Sequence, residues 1–221
     1  MDIESPDSVQ EDRASPPSLF DDKAFHTALS YLRKCDSTLA SGLATYKPPK
    51  RPMPQPPFEK LVKIIISQQL SVSAAKSIYE RLESQLGSAP TAENIRTITI
   101  NDLRSAGLSK TKASAVICLS DQTYTPILTP KYSSPAMSEH IYTVLSKIKG
   151  VGDWTIQNYL IFCCGCIDIF PKSDGSLQRA ISYYYNLDLK NHEAIDNLAN
   201  RWSPYRSCAA LTLWRMIDKV I

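Results

Sequence analysis

The stretch Leu145-Ser146-Lys147-Ile148-Lys149-Gly150-Val151-Gly152-Asp153-Trp154-Thr155 decides how this chain is read. Just before and within it, Ile141, Val144, Leu145 and Ile148 recur at i, i+3, i+4 and i+7, one face of a helix. Ser138 is the expected N-cap of that helix. Gly150 and Gly152 allow positive φ and bring bare backbone up to a ligand. A second helix is expected from about Asp153. Its first N–H groups have no partner inside the helix, and the positive end of its dipole lies there. Such a terminus suits an anion, phosphate included. Lys147 and Lys149 add positive charge. The plainer alternative is an ordinary turn between two helices. Against it stand the Trp154-Thr155 ending and a carboxylate, Asp174, nineteen residues beyond Thr155 in Phe170-Pro171-Lys172-Ser173-Asp174.

The rest of the chain is built around that unit. Residues 1–21 are rich in Ser, Pro and acids, lack periodicity, and are expected to be disordered. A helix is expected near 22–35, with Phe25, Leu29 and Leu32 on one face. Six prolines between 48 and 57 mark an extended connector. From Phe58 onward, helical spacing dominates. Phe58, Leu61, Val62 and Ile65 make one face, and Ala74 to Leu86 a second. Thr91–Ala106 reads as one or two short helices, and Ser109–Leu119 as another. Pro126 and Pro130 mark a loop. Segments 176–186, 192–201 and 205–220 are the expected last helices. Leu103 to Lys112, with Gly107, is either a degenerate copy of the hairpin or a helix C-cap. No alternating run is long enough for a sheet, so the fold class is all-α.

Composition narrows the function classes. The 221 residues suit one large domain or two small lobes over 22–221. No apolar run approaches the ~20 residues of a membrane span, and no secretory signal pattern opens the chain. The six cysteines lack the second cluster that a zinc or iron–sulfur site needs, so buried thiols in a reducing compartment are expected. No metal and no cofactor are expected. Net charge is +3 but uneven: residues 1–22 carry seven acids and one base, leaving 24 bases against 15 acids in the body. A basic body fits a nucleic-acid partner.

Four segments carry a specific resemblance. They are Phe58 to Leu70-Ser71 with Ala74-Ala75; Ala106-Gly107-Leu108-Ser109 with Lys112-Ala113; the hairpin with Trp154-Thr155 and Tyr159; and Arg201-Trp202-Ser203-Pro204-Tyr205-Arg206-Ser207 with Ala209-Ala210 and Leu213-Trp214. Across roughly 25–218 the chain resembles the helix–hairpin–helix DNA glycosylase superfamily, in its alkylation-repair branch of 3-methyladenine DNA glycosylases. The resemblance implies a two-lobed helical bundle with the active site in the cleft between the lobes. It implies a monofunctional hydrolase that flips alkylated purines such as 3-methyladenine and 7-methylguanine out of DNA, cleaves the N-glycosidic bond and leaves an abasic site. Asp174 is then the catalytic carboxylate, stabilising positive charge on the sugar and orienting water. Gln69 and Leu70 are the plug that fills the gap left by the flipped nucleotide, with Ser71 on the same edge. Lys149, Gly150, Gly152, Trp154 and Thr155 contact DNA, while Trp154, Tyr159 and Trp202 shape the base pocket, with core packing as the alternative for Tyr159 and Trp202.

The resemblance also bears on mechanism and partners. Lyase-competent relatives place a Lys where this chain has Trp154, and Trp cannot form a Schiff base. The implied partner is double-stranded DNA carrying alkylated bases or abasic sites, bound by a monomer away from membranes. The implied site is intracellular: nucleus in a eukaryote, cytoplasm in a bacterium. Two residues depart from the family pattern. Gly175 is expected to loosen the backbone beside Asp174, and Asp153 places a negative charge at the phosphate-binding helix end. They motivate an alternative of another class, a catalytically weak lesion- or abasic-site-binding protein. A plain helical interaction protein is a third reading.

Overall fold

The computed structural model describes residues 17–121, 128 and 135–220. The expectations for residues 1–16 and for the loop at Pro126 and Pro130 lie outside the described residues. Among the described residues twelve helices follow one another: α1 (Asp22–Cys35), α2 (Ser37–Thr45), α3 (Pro57–Ser67), α4 (Val72–Leu86), α5 (Ala92–Ile95), α6 (Ile100–Ser105), α7 (Lys110–Leu119), α8 (Pro135–Leu145), α9 (Asp153–Phe162), α10 (Gly175–Tyr185), α11 (His192–Asn200) and α12 (Arg206–Ile217). Among the described residues there is no strand, only an isolated bridge between Ser18 and Cys166. The chain is all-α, as its periodicity predicts. None of these helices is long and apolar enough to cross a membrane.

Local chemistry sets most boundaries. Asp21 caps α1, Asp36 caps α2, Ser71 caps α4 and Ser109 caps α7, each accepting from a first-turn N–H. α3 begins at Pro57, where the ring needs no amide hydrogen. α8 begins at Pro135, so Ser138 lies inside the helix and is not its cap; its hydroxyl lies 3.2 Å from the Cys166 sulfur. α2 has no counterpart among the expected helices. Its small residues give only a faint apolar face, and they serve close packing: a Cβ on Gly42 would lie 2.3 Å from the Met216 sulfur on α12.

The helices enclose two cores. One is built from α3 to α9 and includes Leu61, Ile65, Leu82, Val116, Ile141 and Ile156. The other joins the two ends of the chain, with Phe25 and Leu32 of α1 against Leu177, Ile181, Leu213 and Met216. α9 serves both, giving Ile156 and Leu160 to the first and Ile161 to the second. The expected disordered segment must be shortened at its end. Residues 17–21 pack onto the second lobe, with Leu19 fully buried and its N–H bonded to the Gly165 carbonyl at 2.8 Å. Burial of one leucine, worth about 2 kcal/mol, outweighs the polar character of its neighbours. The connector from α9 to α10 gives Cys163, Cys164 and Cys166 to the first core and Ile167 and Phe170 to the second, and it ends at Asp174.

Candidate active site

Asp174 is the N-cap of α10. Its Oδ1 accepts from the backbone N–H groups of Ser176 (3.0 Å) and Leu177 (2.9 Å). The same oxygen accepts from the Trp214 indole N–H at 2.9 Å. Its Oδ2 accepts from the Trp154 indole N–H at 2.7 Å. Four donors thus hold one carboxylate, two from the helix it caps, one from α9 and one from α12. Bonds to an ionised acceptor are about twice as strong as neutral ones. Gly175 does not leave Asp174 loose. It is the first residue of α10, its φ is not in the positive region, and a Cβ there would meet only the Arg179 guanidinium, at 3.8 Å.

The hairpin faces Asp174 across a cleft of about 1100 Å³. Gly150 needs to be glycine: φ is +96° and a Cβ would lie 2.8 Å from Thr111 Cγ2 on α7. Gly152 takes φ −100°, so the expected positive φ holds for Gly150 alone. No atom lies within 4 Å of the Cβ that Gly152 lacks, and that open space exposes the first turn of α9. Lys149 and Trp154 line the cleft, as does Arg179 of α10, whose guanidinium is held by the Ser176 hydroxyl at 2.9 Å. Asp153 accepts a hydrogen bond from the Tyr142 hydroxyl, which raises the Tyr142 pKa.

The α3–α4 turn closes one side. Gln69 has φ +56°, a left-handed conformation that costs a non-glycine residue about 1–2 kcal/mol. Leu70 is 41% exposed at its tip. Ser71 is spent on capping α4, through Ala74 N–H at 3.2 Å, and does not line the cleft. Beneath the turn, the Gln68 amide donates to the Gly150 carbonyl (2.9 Å) and the Thr155 hydroxyl (2.8 Å). The Lys112 ammonium donates to the carbonyls of Ile66 (2.9 Å) and Gln68 (2.7 Å).

Several expected roles must be corrected. Tyr159 is fully buried in the first core. Five residues after Trp154 it lies about 140° around the helix, so it cannot share a pocket face with it. Trp202 is fully buried in the second core. Its indole N–H donates to Asp36 at 2.9 Å, and it packs against Phe170 and Tyr185. Neither residue lines the cleft. Thr155 is 1% exposed as a whole residue, and its hydroxyl is taken by the Gln68 amide. Asp168, the nearest other carboxylate, is taken by Arg206 through two side-chain bonds of 2.8 and 3.0 Å. The aromatic that does reach the site is Trp214, stacked on Phe162 at 5.8 Å and 28°. It stands forty residues after Asp174, and no local spacing rule points to it. Among the described residues no group of three or more His, Cys, Asp or Glu is placed to hold a metal ion.

Comparison with known proteins agrees with this geometry. A family model described as "HhH-GPD superfamily base excision DNA repair protein" matches residues 62–204. The alkylbase DNA glycosidase-like protein mag2 of Schizosaccharomyces pombe is 32% identical over 165 residues, covering 72% of this chain and 78% of mag2. YfjP of Bacillus subtilis is 34% identical over 169 residues, covering 73% of this chain but only 59% of that longer protein. Among solved structures, the Schizosaccharomyces pombe 3-methyladenine DNA glycosylase Mag1 in complex with abasic DNA superposes with a TM-score of 0.73. It is 27% identical, and the match covers 85% of this chain and 95% of that one.

Proposed function

This chain belongs to the HhH-GPD superfamily of base excision DNA repair proteins, and from that premise we propose that it is a monofunctional DNA glycosylase for alkylated purines. The observation that carries the reading is the Asp174 carboxylate held by two indole N–H groups at the edge of the cleft. Cleaving an N-glycosidic bond builds positive charge on the sugar. A carboxylate already oriented by four donors stabilises that charge without reorganising. The unshared Oδ2 lone pair is free to orient the attacking water. Trp154 lines the cleft beside the carboxylate, and a cationic or electron-poor alkylpurine is attracted to such an aromatic face by ~0.5–2 kcal/mol.

The remaining parts supply the DNA. The first turn of α9, with Lys149 and the bare backbone at Gly150 and Gly152, suits a phosphate. The Gln69–Leu70 turn suits the gap that a flipped nucleotide leaves. No amine stands where Trp154 does, so the reaction ends at an abasic site. The protein acts as a monomer on double-stranded DNA, with no metal or cofactor. One observation favours a second reading: Asp153 sets a negative charge at the phosphate-binding turn, which suits weak catalysis with lesion binding retained.

Base release decides between them. Alkylated duplex DNA is incubated with the protein, and the released bases are identified chromatographically. Release of 3-methyladenine or 7-methylguanine, lost in Asp174→Asn, supports the enzyme. Tight abasic-site binding without release replaces it with the binding protein. A covalent adduct trapped by borohydride overturns the monofunctional assignment.

A further inference from the structure

We propose that Gln68 is a strut that ties the wedge to the hairpin, a positioning residue that sets how far Leu70 enters the duplex. The inference rests on the proposed reaction but concerns a different step, extrusion of the nucleotide. Both hydrogens of the Gln68 amide are spent across the cleft, on the Gly150 carbonyl at 2.9 Å and the Thr155 hydroxyl at 2.8 Å. Those acceptors lie 82 and 87 residues away in sequence. Thr155 is 1% exposed, so the far end of the strut is anchored in the core. From the other side, Lys112 donates to the carbonyls of Ile66 at the end of α3 and of Gln68 just beyond it.

The turn that these bonds hold is not stable by itself. Gln69 sits at φ +56°, and Leu70 and Val72 are 41% and 88% exposed. Among the described residues the backbone bond that spans the turn's tip is local, from Leu70 N–H to the Ser67 carbonyl at 3.1 Å. A wedge holding a duplex open bears the restacking force of the displaced base. That force needs a path to whatever grips the backbone. Gln68 supplies it, because its acceptors belong to the hairpin whose next turn faces the phosphate. Wedge and grip become one rigid piece, and the depth of insertion follows from the phosphate register.

Gln68→Glu keeps the shape and removes the donors; Thr155→Val removes one acceptor from the opposite end. Each full-length variant is assayed under single-turnover conditions on an alkylpurine in a matched pair and on the same lesion in an unpaired bulge. A 2-aminopurine beside the lesion, or beside an abasic site, reports extrusion by fluorescence. Loss of two hydrogen bonds is expected to lower matched-pair excision by Gln68→Glu by about ten-fold or more, with a parallel fall in the fluorescence amplitude. Excision from the bulge stays within about two-fold, and Thr155→Val shows the same pattern at smaller amplitude. An equal fall on both substrates, or no fall in amplitude, overturns the strut. If the unsubstituted protein releases no base, the functional reading fails instead, and the abasic-site fluorescence still judges the strut.

Discussion

At Asp174 the competition is between a cap and a catalyst, and the geometry lets one carboxylate be both. Oδ1 is saturated by Ser176, Leu177 and Trp214, while Oδ2 has only Trp154. Asp174→Asn keeps the shape but loses the charge, so excision should fall by ~10²–10³, read in single-turnover assays. Trp214→Phe keeps most of the stacking on Phe162 and removes one charge-assisted bond. A fall of about ten-fold in the rate of base release is expected, with abasic-site affinity nearly unchanged. Gly175→Ala tests the suspicion that glycine loosens the site. With open space around the missing Cβ, the variant should keep full activity and gain about 0.5 kcal/mol in denaturant titration. The sequence pointed to Asp174 because its distance from the hairpin is a family signature. It did not point to Trp214, whose contact exists only once α12 is packed.

At the scale of the element, the hairpin and the α3–α4 turn form one unit. Gly150 lies against Thr111 of α7, so the Gly150–Gly152 turn rests on the end of the Leu103–Lys112 stretch that itself faintly resembles a hairpin. Gly150→Ala should weaken DNA binding and cost about 1–2 kcal/mol of stability, since both backbone strain and contact oppose it. Lys149→Ala should instead leave stability alone. Its signature is a shallower salt dependence, with the slope of log K against log salt reduced by about one, measured by fluorescence anisotropy on duplex DNA. The hairpin was legible because glycine placement and 3.6-residue periodicity are local. The identity of the strut was not, since Gln68 and Gln69 are the same residue type and only the backbone turn between them separates their roles.

For the whole molecule, the question is what aligns the two cores around one carboxylate. The connector that carries Asp174 is pinned to the start of α12 by Asp168 and Arg206, and α12 carries Trp214. Burial pushes the Asp168 carboxyl up, but its bonds to Arg206 and Ser203 outweigh this and hold it below the usual carboxylate range. A depressed carboxylate stabilises the fold above its unfolded pKa of about 3.9. That stability is lost as pH falls through the lower, folded value. Melting temperature should therefore drop below about pH 4, and Asp168→Asn should flatten this part of the profile. Deeper in the same lobe, Asp36 accepts from Trp202 at 2.9 Å and Tyr185 at 3.1 Å. Trp202→Phe leaves Asp36 short of a donor, so it should lower the melting temperature without changing lesion preference. A changed preference would return Trp202 to the base pocket.

Helix periods, the glycine turn and the basic body are properties of neighbouring residues, and the sequence alone determined them, whereas the cap expected at Ser138 lies inside α8. The all-α class followed from these properties, while Asp174 was singled out by the family resemblance. Tertiary structure alone decided which aromatics reach that carboxylate, which glutamine bonds to the hairpin, and that Leu19 belongs to a core. These depend on contacts between residues twenty or more positions apart. Such contacts are set by how helix faces pack, and side chains as alike as Trp202 and Trp214 part company there, one into the core and one onto Asp174.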